Sequence, residues 1–420
     1  MIKTLILQPG ITLRCCTDTR FKTNCLSVQL VRPMCREEAS ANALISAVLL
    51  RGTQKHPDLR DITLRLDDLY GATVGTLVRR VGDYQTTGFY CGFTEDRYAL
   101  GGDRILEPMV DFLQELLLEP RLENGVFCRD FVESEKKNLL SAMEAAKNDK
   151  RVYAAGQLMK YMCAQDPTGV PRLGEPEQAQ ALESAGLYAH YQKILRQSRI
   201  DLFYVGSQEP ERIRGLLAPV FQRINRDYVN LPAQTPFHDG GKTRREEPME
   251  VTQGKLQMGF VTDNTIDTPD FVTMQVLNMV FGGGMTSKLF MNVREKMSLC
   301  YDIGSAYQGT KGILTVGAGM DHQQAQTVES EVLCQLEDCR RGKITQQELT
   351  SAKEALLSSL RGIHDSPGSI ENYYATGALS GLSLTIDEYM RQVRQVTVPM
   401  LAAAAQKLQL HSVFLLKGVE

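Results

Sequence analysis

The side chains that could bind a metal or attack a substrate are scattered along this 420-residue chain. Its six histidines, His56, His190, His238, His322, His364 and His411, stand singly, without the spacing that lets two imidazoles share a metal on one helix face. The ten cysteines include no CxxC pair and mostly lie inside apolar patterns such as NCLSVQL, FYCGF and EVLCQL, as reduced, buried thiols do. Cys15, Cys16 and Cys300 have no histidine close in sequence to activate them as nucleophiles. Gly282, Gly283 and Gly284 raise the idea of a phosphate cradle, but a P-loop needs Gly directly before Lys and then Ser or Thr, and FGGGMTSKLF has the wrong order. These glycines instead permit a tight turn into the next helix, with Ser287 near its N-terminus, and leave room for a peptide along a strand edge.

Arg294 and Tyr301 carry side chains able to donate hydrogen bonds. A permanently charged guanidinium and a phenol can both donate hydrogen bonds to a carbonyl oxygen in a shielded site. From pattern alone, the run VREK reads as a solvated helix face, and Tyr301, between Leu299 and Ile303, as a tyrosine at the edge of a core. Arg79 and Arg80 in VRRVGDY read as a solvated strand end or hairpin, with one able to face a cleft and recognise acidic groups.

The elements that must position these residues repeat. Residues 1–35 alternate as strands, 39–52 and 59–71 form helices, and strands follow around 73–93. Helices are expected near 104–118, 124–147, 150–163 and 176–196, and the buried strand IDLFYVG closes the unit near residue 206. The second half runs in the same order, from strand LQMGFVTD through helices, strands and helices to SVFLLKG, and SEKKNLLSAME (134–144) is echoed by SAKEALLSSLR (351–361). The expected fold is α+β: a tandem pair of homologous domains, each a mainly antiparallel sheet packed on helices, enclosing a cleft. Residues 1–228 and 249–420 form the domains, and 229–248, rich in Pro, Gly and charge, the linker.

Composition narrows the function classes. With 43% hydrophobic and 23% charged residues the chain is an ordinary globular one. A net charge of -3 and pI near 6.2 provide no field for nucleic acid or anionic membrane, local patches such as KTRREE aside. No run approaches eighteen apolar residues, and MIKTLILQPG reads as a first strand and not a signal peptide, so a cytoplasmic protein is expected.

The duplicated plan, LLRGT after the first helix, the GGGMTSKLF turn and VREKMSLCY together resemble the insulinase, or pitrilysin-like, metallopeptidases. The likeness is to the short two-domain branch that includes bacterial processing-type peptidases and mitochondrial processing peptidase, and it spans nearly the whole chain. Active members carry HxxEH on the first helix, where positions i, i+3 and i+4 share a face, so that two histidines bind zinc and the glutamate activates water. Counted back from Gly52 and Thr53, those positions hold Ala43, Ser46 and Ala47, a close-packed small-residue face. The third ligand position, seven residues after Glu135, falls on Ala142. The resemblance therefore implies no cofactor in this chain and no catalysis by it alone.

What the resemblance retains is the pair Arg294 and Tyr301, which in the family hold the substrate backbone and stabilise the oxyanion. It implies a non-catalytic subunit of a heterodimer, with zinc on a homologous HxxEH partner and a peptide as substrate. A homodimer and a peptide-binding scaffold without proteolysis are the alternatives.

Overall fold

A computed structural model describes residues 2–418. The first half runs β1 (Ile2–Gln8), β2 (Ile11–Thr17), β3 (Thr23–Pro33), α1 (Arg36–Leu49), α2 (Leu59–Asp68), β4 (Thr73–Val81), β5 (Tyr84–Thr94) and α3 (Leu106–Leu118). It continues through β6 (Leu122–Glu123), β7 (Val126–Phe127), α4 (Arg129–Asn148), α5 (Lys150–Met162), α6 (Pro176–Gln180), α7 (Ser184–Gln197), β8 (Arg199–Gly206) and α8 (Pro210–Gln222). The second half runs β9 (Thr243–Met249), β10 (Gly254–Val261), α9 (Phe271–Phe281), a π-helical segment Leu289–Lys296, β11 (Asp302–Gln308) and β12 (Ile313–Met320). It ends with α10 (Ala325–Arg340), α11 (Gln346–Gly362), α12 (Pro367–Ser380), α13 (Ile386–Gln395), α14 (Val398–Gln406) and β13 (Gln409–Gly418).

Two sheets share one topology. The first has the order β1-β2-β8-β3-β5-β4, and the second, read from its far edge, β9-β13-β10-β12-β11. Each is antiparallel except for one parallel pair, β2 with β8 and β9 with β13. Dropping β1, the two orders superimpose strand for strand, which makes the duplication a structural fact and the fold α+β. It also corrects the linker: residues 243–248 are not exposed tether but part of β9, the counterpart of β2. Charge hid this strand, because β9 is an edge strand whose charged side chains and Pro248 meet solvent, as edges that avoid further pairing do. Two helices were also unforeseen. Pro219 inside α8 reads as a breaker, and the alanine run of α14 has no periodicity to betray it.

The chain forms two compact units that are not simply its two halves. Among the described residues, one comprises 2–144, 170–233 and 364–376, and the other 145–169, 234–363 and 377–418. The contiguous ranges 1–228 and 249–420 therefore miss an exchange of equivalent pieces. Each exchanged piece follows one of the two echoing helices, α4 and α11, and contains the helix that comes next, α5 or the first turns of α12.

In the first unit, Leu26, Val28 and Leu30 of β3 and Phe89, Cys91 and Phe93 of β5 share a core with Leu44, Ile45, Val48 and Leu49 of α1 and Phe112, Leu113 and Leu116 of α3. In the second, α9 is buried nearly all round and touches β11, α10, α11, α13 and α14. There α5 lies on the opposite sheet face: Ala154 and Leu158 pack on Phe414 and Leu416, and Met162 on Ile313. A fully buried ion pair, Lys311 Nζ to Asp166 Oδ2 at 3.1 Å, secures the same region.

Candidate functional site

The degenerate helix comes first in the chain. α1 buries Ala43 and Ser46 and half-buries Ala47, while Ala142 lies exposed on α4. The face is not merely small residues closing on each other. Ser46 Oγ accepts a hydrogen bond from Thr87 Oγ1 at 3.3 Å, and one turn earlier Asn42 Nδ2 donates to Gln85 Oε1 at 2.8 Å. Because Gln85 and Thr87 are two apart on β5 and Asn42 and Ser46 four apart on α1, a strand period and a helix period bring the two polar strips into register.

Asn42 Oδ1 in turn meets His190 Nε2 at 2.8 Å, and burial pushes the His190 pKa down, so this imidazole is neutral at neutral pH. Beside it Glu38 is gripped by Arg32 through both oxygens and by Lys193. Burial alone would raise the Glu38 carboxyl, but those donors hold it below the usual range. Of the positions where zinc chemistry would sit, Ser46 joins this polar packing, Ala43 is buried and Ala47 half-buried beside it, and Ala142 stays exposed. Among the described residues, no three His, Cys, Asp or Glu side chains converge as a metal site. The network had no sequence signal, since His190 is 148 residues from the asparagine it meets.

The second locus lies in the other unit. The π-helical segment Leu289–Lys296 carries Arg294, and the chain returns through Ser298, at a left-handed φ of 53°, to Tyr301 at the mouth of β11. Arg294 Nε donates to the Tyr301 carbonyl at 2.8 Å, its Nη1 meets Glu295 at 3.0 Å, and its carbon centre lies 4.5 Å from the Phe290 ring centroid. The guanidinium is therefore held in orientation, yet its side chain remains 37% exposed.

Tyr301 donates its own N–H to the Gly319 carbonyl at 2.8 Å, which fixes its backbone, while its side chain makes it 60% exposed. Both residues line one cavity of about 520 Å³ with Glu295, Ser298, Leu299, Cys300, Asp321 and Gln324. Burial, with the Asp302 carboxylate, pushes the Cys300 thiol up to about 11, so it is no nucleophile. Asp321 and Gln324 escaped the sequence reading because they join the cavity only through the β11–β12 pairing.

The glycine turn stands behind this locus. Gly282 packs so closely that a Cβ would lie 2.6 Å from Ser305 Oγ and 2.8 Å from a Leu289 methyl, and its carbonyl accepts from the Ser305 N–H at 2.9 Å. Part of the β11 edge that the glycines were expected to leave open is thereby occupied by the turn itself. Neither Gly283 nor Gly284 has a positive φ, and Ser287 is buried, with Oγ accepting from the Phe290 N–H at 3.4 Å. Arg79 and Arg80 are half-buried and engaged internally, not a freely solvated strand end: Arg79 binds Glu371, and Arg80 donates to the Val170 carbonyl.

Residues 182–356 match the family model described as "Peptidase M16 inactive domain". Over that stretch the chain is similar to the inactive members of the peptidase M16 family, the insulinase-like group that its motifs resemble. It is 28% identical over 414 residues, covering 98% of this chain and 96% of the other, to a Bacillus subtilis protein named probable inactive metalloprotease YmfF. A crystal structure of a conserved protein from Enterococcus faecalis superimposes with a TM-score of 0.92 at 27% identity, covering 100% of this chain and 99% of that one. The fold also matches an M16 inactive-domain structure from Pseudomonas fluorescens, with a TM-score of 0.82 at 18% identity, covering 100% and 98%. Among the described residues no helix is long and apolar enough to cross a membrane.

Proposed function

We propose that this chain is the non-catalytic subunit of a heterodimeric zinc peptidase, lending Arg294 and Tyr301 to a site whose zinc is held by a homologous HxxEH partner. The observation that carries the reading is selective loss. The three HxxEH positions are absorbed into a packed helix, while Arg294 and Tyr301 line one cavity with the guanidinium held in place. An oriented cation and an exposed phenol suit a peptide carbonyl: they would hold the substrate backbone and donate to its developing oxyanion, while a zinc held by the partner's HxxEH residues would supply the activation of water. Donors fixed before the reaction cost no reorganisation during it. The substrate is a peptide in extended form, and the process is peptide processing.

The test mixes the purified chain with an HxxEH homologue from the same organism and follows cleavage of a fluorogenic peptide. Cleavage should need both chains, and Arg294→Ala should lower turnover by on the order of a hundredfold, the scale of losing one oxyanion donor. Turnover indifferent to Arg294→Ala and Tyr301→Phe would defeat the shared site. Peptide capture without turnover under any pairing would favour a scaffold role instead.

A further inference from the structure

The two exchanged segments are equivalent in the repeat, and each carries one fully buried carboxylate, Asp166 in the second unit and Glu371 in the first. In the second unit α5 sits on its sheet through Ala154, Leu158 and Met162 against Phe414, Leu416 and Ile313, an apolar seat. In the first unit the segment 364–376 meets a polar face of the sheet, the side of β3 that carries Ser27 and Gln29. Its Glu371 is completely buried. Glu371 Oε1 accepts from Ser27 Oγ at 2.7 Å, from Gln29 Nε2 at 2.8 Å and from Arg79 Nη1 at 3.2 Å, and Oε2 accepts from Arg79 Nη2 at 3.0 Å.

Nothing in this arrangement requires that the carboxylate belong to this chain. A two-pronged guanidinium, a hydroxyl and a carboxamide are the donor set by which proteins bind carboxylates. Arg79 stands on β4, the edge strand of the sheet, and keeps 21% of its side chain exposed, so the donor set reaches the surface. Gly368 adds a close seat, since a Cβ there would lie 2.7 Å from Tyr90 Oη. A polar face can be returned to water at far lower cost than an apolar one. Beside the buried Ile370 and Ala375, the carboxylate is the charged anchor that keeps this segment down.

We propose that Ser27, Gln29 and Arg79 form a carboxylate-binding socket that the chain fills with its own Glu371, and that residues 364–376 are the strap closing it. The competing ligand is a peptide carboxylate, an acidic side chain or a C-terminus, lying along the β4 edge. In the resting protein the strap excludes it.

Hydrogen exchange on the full chain tests the strap, and peptide binding tests the socket. In the wild type, amides 370–376 should exchange through a local opening, faster than β3 and β8 of the same unit. Exchange of the strap only together with those strands would overturn the proposal without any mutation. Glu371→Gln, which keeps the shape and removes the charge, should speed strap exchange by roughly a hundredfold or more, as expected when a buried pair loses one partner, with β3 and β8 unchanged.

A fluorescein-labelled unstructured peptide ending in Glu should bind Glu371→Ala at least tenfold more tightly than the wild type. Adding Arg79→Ala should abolish that gain, and the same peptide with Gln-amide at its end should not show it. Equal binding by the two peptides, or a gain that survives Arg79→Ala, would refute the socket.

Discussion

Replacing Lys311 by Met removes the cation of the buried pair while roughly keeping side-chain length. Lys311 lies at the tip of the β11–β12 hairpin, whose other end carries Tyr301, and its ammonium also donates to the Thr235 carbonyl at 2.8 Å. Asp166, on the exchanged segment 145–169, would keep the Thr168 and His238 backbone N–H bonds at 2.9 and 3.0 Å. Breaking a buried pair by deleting one partner costs about 3–5 kcal/mol, and those remaining donors put the loss near the lower end, about 3 kcal/mol. For a unit of roughly 200 residues, that lowers its melting temperature by about 6–12 °C. Calorimetry measures this directly, and Asp166→Asn combined with Lys311→Met should cost less than the sum of the single changes. A shift below about 2 °C for Lys311→Met, or strict additivity, would show that the pair does not hold the hairpin.

The same carboxylate sets a pH window. Burial by itself would raise the Asp166 pKa, but the Thr168 and His238 hydrogen bonds and the Lys311 charge outweigh it and hold it below the ordinary 3.8. A depressed folded value means the stabilisation is fully present above pH 3.8 and disappears as pH falls through the lower folded value. The melting-temperature difference between wild type and Asp166→Asn should therefore be constant near neutrality and shrink only in strong acid.

Other expectations are simpler to check. Gly282→Ala should cost about 1–3 kcal/mol in urea unfolding, because the added methyl meets Ser305 and Leu289 at less than 3 Å. With maleimide at pH 7.5, exposed Cys334 should label first, while Cys91, whose thiol burial pushes up to about 12, should label only on unfolding, as peptide mapping would show. Thr345→Ala should destabilise α11 by about 1 kcal/mol through loss of its capping box, read as a chemical-denaturation midpoint shift. EDTA should leave the melting curve of the isolated chain unchanged, since its HxxEH positions hold Ala43, Ser46 and Ala47 and offer no imidazole to zinc.

Much of the architecture was legible because it is local. Alternation in NCLSVQL, helical spacing in ESEKKNLLSAME and the echo of one half in the other specify strands, helices and duplication, and the count from Gly52 back to Ala43 locates the missing zinc ligands. The family resemblance, and not spacing alone, singled out Arg294 and Tyr301, though not that the arginine would be tied to the tyrosine's own carbonyl. That bond depends on the left-handed turn at Ser298, which no periodicity announces.

What the sequence by itself determined, then, was which faces are apolar and which catalytic groups are absent, since both follow from residue type at fixed spacing along one element. The tertiary structure alone decided that a charged stretch of linker would become β9, that α5 and the start of α12 would change places between units, and that Glu371 would fill a socket made by Ser27, Gln29 and Arg79. Those outcomes join residues far apart in the chain, 292 positions between Arg79 and Glu371. A carboxylate's sequence neighbours do not reveal which distant donors will enclose it; only the packing that buries it makes that choice, because an unpaired charge there would cost too much to bury.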